Sequence, residues 1–480
     1  MLLLVTALVT SVAACTSTAR PGRTGSVEWH SCGSIQCTTL AVPLDWSHPS
    51  GEHIELALAR RPAEGERLGV LLVNPGGPGG SGIDYLRDSG DTLGASVRDH
   101  FDIVSWDPRG VGQSAPAECT SNLDFFYAVN RNSTSAAAER ANVAASKQFV
   151  DDCRRSSARL LPFLSTRASV RDMDAIRAAM GVPTIDYLGF SYGTYLGALY
   201  ADRYPHRVRA MVLDGAVDPA ASYDDAILTQ AVGFEHALDA FLDWCASNRE
   251  CEFARSGNPR TAFADLMTTL TSESDPADID GEERSLGIGE ANIGVATALY
   301  AGDSNQGWVA LGKALNAAAA GDGSGLLALS DVYTGRNTGG RYDNLTAAFY
   351  AIGCLDGPAP RSVGAVEQLA QRAARMAPNF GASTVWLGLP CTYWPVPPDG
   401  RVGPIHAAGA PPILVVGNTN DPATPYAQAQ ALAGELDSGR LLTFVGQGHT
   451  AYGHGDECID DAVDAYLVTL KLPPAGTRCQ

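Results

Sequence analysis

The distribution of apolar positions divides the chain into a strand-rich frame and a long helical interruption. Val70–Val73 is a continuous apolar run, as expected of a central strand buried on both faces. Phe101–Trp106, Ile185–Leu188, Val208–Gly215, Pro412–Gly417 and Leu441–Val445 read as further strands of the same sheet. Before them, Cys37–Val42 reads as a strand ending at Pro43. Ile54, Leu56 and Leu58 alternate with Glu55, Ala57 and Ala59. These two strands are expected to form an antiparallel edge. Between the strands lie helical patterns, including Asn122–Leu161. In Arg167–Met180, Val170, Met173, Ile176, Ala179 and Met180 share one face, and Gly181 and Pro183 stop the helix after a Ser165-Thr166 cap. From about Asp218 to Gly409 the alternation stops and helical patterns dominate, among them Thr229–Ser247 and Asn292–Leu315. The pattern predicts an α/β protein with a mostly parallel, doubly wound sheet and a large, mainly helical insertion. Its expected parts are core residues 29–217, a cap over 218–409, and core residues 410–480.

Each core strand that bears chemistry is followed by a loop suited to it. Ile185–Phe190 runs into Gly189-Phe190-Ser191-Tyr192-Gly193, a G-x-S-x-G sequence, and a helix-like run follows from Thr194 to Tyr204. A strand, a sharp turn and a helix are what a nucleophile elbow requires. The glycines permit close packing, and the helix N-terminus favours developing negative charge beside Ser191. Val70–Val73 runs into Asn74-Pro75-Gly76-Gly77-Pro78-Gly79-Gly80-Ser81-Gly82. A rigid loop with bare N–H groups can supply one oxyanion donor, here assigned to Gly77, with the N–H of Tyr192 as the second. The competing role for this loop is a tight structural turn. The Phe101–Trp106 strand leads to Asp107-Pro108-Arg109-Gly110, read as scaffold with Asp107 and Arg109 forming a buried ion pair.

Two later strands complete the set. Pro412–Gly417 leads to Asn418-Thr419-Asn420-Asp421-Pro422-Ala423-Thr424-Pro425, and Leu441–Val445 leads to Gly446-Gln447-Gly448-His449-Thr450. The order Ser191, Asp421, His449 is that of an α/β-hydrolase. Ser191 would attack a carbonyl, His449 would relay its proton, and Asp421 would orient the imidazole. Taken singly, Asp421 could be a turn-former and His449 a loop histidine, with His454 a nearby competitor.

The Asn74–Gly79 loop resembles the H-G-G-P-G loop of prolyl aminopeptidases, with Asn-Pro in place of His. Gly189–Gly193, Asp421–Pro425 and Gly448-His449 resemble the secreted tripeptidyl aminopeptidases of actinobacteria and their mycobacterial lipoprotein relatives, over nearly the whole mature chain. The resemblance implies a serine exopeptidase acting on the free N-termini of peptides or proteins. A carboxylesterase or lipase with the same triad is the alternative. An aminopeptidase must hold a substrate ammonium. Asp356 and Glu235 are the candidate acids, each weighed against a purely structural role. Thr424 either supports the Asp421 loop or lines the pocket.

Composition narrows the setting. A net charge of -19 argues against nucleic acid as partner, because phosphate binding needs clustered Lys and Arg. The acidity serves solubility, or attracts cationic groups such as a free amino terminus. Met1–Ala14 is a short apolar stretch ending at Cys15, with no Lys or Arg before it. It reads as a lipoprotein signal peptide with Cys15 as lipidation site, or else as an ordinary secretory signal. Residues 15–28 would then be a tether, and a lipid anchor the sole membrane attachment. Without Cys15, ten of the eleven cysteines remain, enough for five disulfides in an oxidising compartment. Pairing by neighbourhood gives Cys32–Cys37, Cys119–Cys153, Cys245–Cys251, Cys354–Cys391 and Cys458–Cys479. The absence of a C-x-x-C pair and of clustered histidines argues against zinc. No cofactor is called for.

Overall fold

The computed structural model describes residues 27–480, apart from 134, 254–256 and 401–402. The signal segment, Cys15 and most of the expected tether lie outside the described residues. Twelve strands are present among those described: β1 (His30–Cys32), β2 (Ile35–Pro43), β3 (His53–Arg61), β4 (Gly69–Asn74), β5 (Phe101–Trp106), β6 (Ile185–Phe190), β7 (Val208–Asp214), β8 (Asp275–Ile279), β9 (Glu282–Leu286), β10 (Ile413–Asn420), β11 (Gly439–Gln447) and β12 (Arg478–Cys479). Ten of them form one sheet in the order β1-β2-β3-β5-β4-β6-β7-β10-β11-β12. The β1, β2 and β3 pairings are antiparallel, and all pairings from β5 through β12 are parallel.

The burial follows from the composition of the strands. Every residue of β5 and of β6 is buried, because helices cover both faces of a parallel sheet. Leu72, Val104, Tyr187, Met211 and Val415 belong to one buried cluster. Leu71, Val73, Ile103, Leu188, Val212 and Leu414 belong to the other. The helix Thr166–Ala179 buries Val170, Met173 and Ile176, the stripe expected from the sequence.

The insertion between β7 and β10 has its own apolar cluster, built from the helices Tyr223–Ser247, Pro259–Ser272, Ile288–Tyr300, Ala310–Ala319 and Ser324–Thr334. It also holds a hairpin, β8–β9, that the sequence reading passed over. Its signal was Asp280-Gly281, both with positive φ (53° and 86°), as a two-residue hairpin turn of the primed type requires. The expected helix over Asn292–Leu315 is broken after Tyr300. There the chain abuts the loop after β11: a Cβ on Gly302 would lie 2.8 Å from the Gln447 carbonyl carbon. Expected helix Asn122–Leu161 is likewise split, into Asp124–Tyr127 and Ala136–Ser157, the second capped by Ser135.

All five neighbour-paired disulfides are present: Cys32–Cys37, Cys119–Cys153, Cys245–Cys251, Cys354–Cys391 and Cys458–Cys479. No helix among the described residues is long and apolar enough to cross a membrane.

One scaffold expectation is corrected. Asp107 and Arg109 do not pair. Arg109 makes a fully buried bidentate pair with Asp172, both N–O distances 2.6 Å, and donates to the carbonyls of Pro43, Leu44 and Phe163. Asp107 accepts from Ser81 Oγ at 2.7 Å, from Ile83 N at 3.2 Å and from Gln113 N at 2.8 Å. The turn between them sends the two side chains to different elements. Asp107 thereby braces the end of the glycine-rich loop, and Arg109 ties the helix Thr166–Ala179 to β2.

Candidate active site

Ser191 sits at the junction of β6 and the helix Tyr192–Arg203 with φ 54° and ψ -125°, a backbone conformation that residues with a side chain rarely adopt. Close approach of the flanking backbone permits it. A Cβ on Gly189 would lie 2.4 Å from the Gly193 carbonyl oxygen. The strain is held in place by a hydrogen bond from Ser191 N to the Asp214 carbonyl at 2.8 Å. The glycine-rich loop presses on the same turn: a Cβ on Gly76 would lie 3.0 Å from Ser191 Cβ and 3.2 Å from Tyr192 N. Neither Tyr192 N nor Gly77 N has an acceptor among the described residues. Both N–H groups are free to receive a negative oxygen.

Asp421 and His449 are brought together by the adjacent strands β10 and β11. His449 Nδ1 lies 2.9 Å from each carboxylate oxygen of Asp421, which is 2% exposed. The carboxylate also accepts from Ala423 N at 2.9 Å and Thr424 N at 2.8 Å. Thr424 Oγ donates to it at 3.1 Å and stands 3.4 Å from His449 Nδ1. Of the two roles open to Thr424, these contacts fit support of the acid loop. Because Nδ1 faces the carboxylate, that nitrogen carries the proton. Nε2 is buried and has no hydrogen-bond partner among the described residues. Burial lowers the His449 pKa, but the charge and hydrogen bond of Asp421, helped by Asp214, outweigh it and raise the imidazole above its ordinary 6.5. His454 instead meets Thr450 Oγ at 3.0 Å.

Two residues not singled out from the sequence set this geometry. Asp214, at the end of β7, has a fully buried side chain that accepts from Ala451 N and Tyr452 N at distances from 2.8 to 3.2 Å. It thus fixes the His449 loop with its carboxylate and Ser191 with its carbonyl. The next residue, Gly215, has φ +66°, and a Cβ there would stand 3.1 Å from His449 Cε1. That proximity links the serine turn to the imidazole. Asn418 donates to the carbonyls of Gly448 at 2.9 Å and Thr450 at 2.7 Å, one on each side of His449. The signal for Asp214 was an acid closing an apolar strand, which sequence reading treated as part of the strand.

The two candidate amine anchors lie apart. Asp356, at the end of the helix Leu345–Asp356, accepts from Thr166 N at 3.2 Å and Thr166 Oγ at 2.6 Å. Thr166 Oγ also contacts the Tyr192 hydroxyl. Burial, opposed by the two Thr166 hydrogen bonds, pushes the Asp356 carboxyl up to about 7. Glu235, on the helix Tyr223–Ser247, is half-buried and holds Asn379 through N at 2.9 Å and Nδ2 at 2.6 Å.

A buried serine turn with free donors beside a carboxylate-oriented imidazole can carry out nucleophilic acyl transfer. Comparison with known proteins agrees. Residues 69–256 match the family described as alpha/beta hydrolase fold, and residues 377–479 the family described as TAP-like protein. Serine protease Hip1 of Mycobacterium tuberculosis is 39% identical over 478 residues, covering 94% of this chain and 91% of that protein. The chain belongs to the actinobacterial tripeptidyl aminopeptidase family of α/β-hydrolases. Carboxylesterase B of the same organism is 37% identical, covering 94% of this chain and 89% of its own. Tripeptidyl aminopeptidase of Streptomyces lividans is 32% identical over 483 residues, covering 96% and 88%. A member of this family is a serine hydrolase, of the peptidase or esterase type.

The sole metal-like grouping among the described residues is Asp456, Cys458 and Cys479. Its two cysteines form a disulfide, so their sulfurs are not thiolate ligands.

Proposed function

We propose that this protein is an exported serine peptidase that releases short peptides from free N-termini through an acyl-enzyme. The observation that carries the mechanism is the 2.9 Å contact of His449 Nδ1 with Asp421, which leaves Nε2 without a hydrogen-bond partner among the described residues. In this reading Ser191 attacks the scissile carbonyl. His449 takes its proton at Nε2 and later delivers it to the leaving amine. Asp421 stabilises the imidazolium, and the N–H groups of Tyr192 and Gly77 receive the oxyanion. Residues 218–409 act as the cap, and Glu235 or Asp356 holds the substrate ammonium. The five disulfides support export, since such bonds persist in oxidising compartments. Cys15 would carry the lipid anchor.

A second reading, a carboxylesterase on envelope or xenobiotic esters, is favoured by a largely apolar cavity within the insertion, lined by Phe234, Ile293, Tyr300 and Phe380. Three substrates separate the two readings, with Ser191→Ala as control: a tripeptide anilide with a free N-terminus, its acetylated form, and a short-chain p-nitrophenyl ester. Cleavage of the free anilide with little of the acetylated one supports the exopeptidase. Ester cleavage with both anilides untouched moves the protein to the esterases. Failure of the folded protein to react with a fluorophosphonate defeats the serine mechanism altogether.

A further inference from the structure

A cavity lined mainly by the insertion contains a cation that makes no ion pair. Arg131 is 4% exposed and lines this cavity of about 100 Å³. Among the described residues it makes no ion pair, and Glu290 acts on its charge only through space. Its guanidinium rests over the Phe126 ring, 4.6 Å from the centroid, and Nη2 donates to the Phe126 carbonyl at 2.6 Å. Nε is buried and has no acceptor among the described residues. A guanidinium is a planar fork of donors that matches a carboxylate, and burying it unpaired is costly. Such a cost is tolerated where a ligand supplies the missing charge.

The rest of the wall fits that ligand. Asn292 and Ser383 add polar groups, while Phe234, Ile293 and Phe380 supply apolar surface. The space suits a short side chain or a few waters. It also adjoins the chemistry. Tyr300 lines the cavity and accepts from His449 N at 2.8 Å, and Gln230 lines it and donates to the Ala423 carbonyl in the acid loop at 3.1 Å.

We infer that this cavity is a substrate subsite for a carboxylate on a short apolar stem, with Arg131 as its receptor. The inference builds on the serine hydrolase reading above and gives the site a preference for acidic substrates. The same cation repels an ammonium, so the substrate N-terminus is held elsewhere. The carboxylate has two sources, an acidic side chain of the substrate or the C-terminal carboxylate of a short peptide.

The test uses the purified full chain. Peptide anilides with Glu or Gln before the scissile bond probe the side-chain source. Tetrapeptides with a free or an amidated C-terminus probe the terminal source. At least one pair is expected to show a kcat/KM preference of about 10-fold or more for the carboxylate. That preference is expected to collapse to near unity in Arg131→Met and to survive in part in Arg131→Lys. Ratios near one in both wild-type pairs, or a ratio unchanged in Arg131→Met, overturn the inference. Titration of glutarate into Ser191→Ala gives a readout independent of turnover. Saturable binding that is weakened about 10-fold when the probe is the uncharged diamide glutaramide supports the subsite, and equal or absent binding of both opposes it. Fluorophosphonate labelling separates the two levels: a labelled protein without carboxylate preference loses the subsite alone. An unlabelled protein that still binds glutarate through Arg131 keeps the subsite and loses the hydrolase mechanism.

Discussion

Tyr300 accepts a hydrogen bond from the backbone N–H of His449 at 2.8 Å and sets its ring edge-on to the imidazole, with centroids 5.3 Å apart. The last turn of an insertion helix is therefore part of the wall that holds the proposed base. The carbonyl contact belongs to the main chain and survives substitution, whereas the ring contact does not. Tyr300→Phe is expected to keep kcat/KM within about twofold. Tyr300→Ala removes a large part-buried ring and leaves a gap beside His449, so it should lower the fluorophosphonate labelling rate of Ser191 about 10-fold and lower Tm. Equal rates in wild type and Tyr300→Ala would show that the insertion does not steady the imidazole.

The pH dependence follows from the same pair. The base must be neutral to accept a proton, so kcat/KM falls as pH drops through the His449 pKa. Because Asp421 raises that pKa despite burial, the acid limb is expected above 6.5. In Asp421→Asn the charge that raises it is gone. The limb should then move to lower pH, and the plateau should drop by about 10⁴ as the imidazole loses its fixed tautomer. A p-nitrophenyl ester profile from pH 5 to 9 measures both. An acid limb that stays in place in Asp421→Asn would mean that another group titrates.

Much of this arrangement was legible in the chain, and the reason is local. Strands β4, β5, β6, β7 and β10 are mostly buried on both faces, so each is a nearly unbroken apolar run that ends where chemistry begins, whereas β11 buries only Leu442 and Thr443 and shows a shorter apolar run. Ser191, Asp421 and His449 stood out as candidates because each follows an apolar run. What escaped depends on contacts far apart in sequence. Arg109 was given to Asp107, two positions away, while its partner Asp172 lies on a helix 63 positions on. Asp214 carries no local sign that its carboxylate meets the amides of Ala451 and Tyr452. Arg131 is an ordinary surface residue by type, and its contacts with Phe126 and the cavity wall, distant in part along the chain, bury it. The hairpin β8–β9 was legible in Asp280-Gly281, but its short strands alternate polar residues and bury little.

Asp214 should also be visible in stability. Burial raises its carboxyl to about 6 from an ordinary 3.8, against the lowering effect of the Ala451 and Tyr452 amides. The unfolded chain thus releases this proton first. Between pH 4 and 6 the folded protein binds a proton that the unfolded one lacks, so stability falls as pH rises across that window. Two pKa units correspond to about 3 kcal/mol. Asp214→Asn cannot titrate, and its unfolding free energy should be flatter than wild type between pH 4 and 6. Asp186 and Asp356, also raised to about 7, remain in both proteins and cancel in the difference. Parallel curves from urea unfolding at pH 4, 5 and 6 would refute the assignment.

The amine anchor can be decided between its two candidates by charge and access. Asp356 gives hydrogen-bond acceptance from both oxygens to Thr166, and at about 7 its carboxyl is only part-ionised near neutrality. Glu235 takes two bonds from the neutral Asn379 and has no cationic partner among the described residues. A carboxylate so held still has lone pairs to offer an ammonium. Glu235 itself is not among the residues lining the Arg131 cavity, although its helix neighbours Phe234 and Gln230 are, so an ammonium on it need not share that cavity with the cation. Glu235→Gln is therefore expected to raise KM for a free tripeptide anilide about 10-fold while leaving the acetylated anilide unchanged. Asp356→Asn should alter both substrates alike, within about threefold. If Asp356→Asn alone discriminates against the free N-terminus, the ammonium lies on the Tyr192–Thr166 side of the nucleophile, and the carboxylate beside Asn379 serves the packing of the insertion.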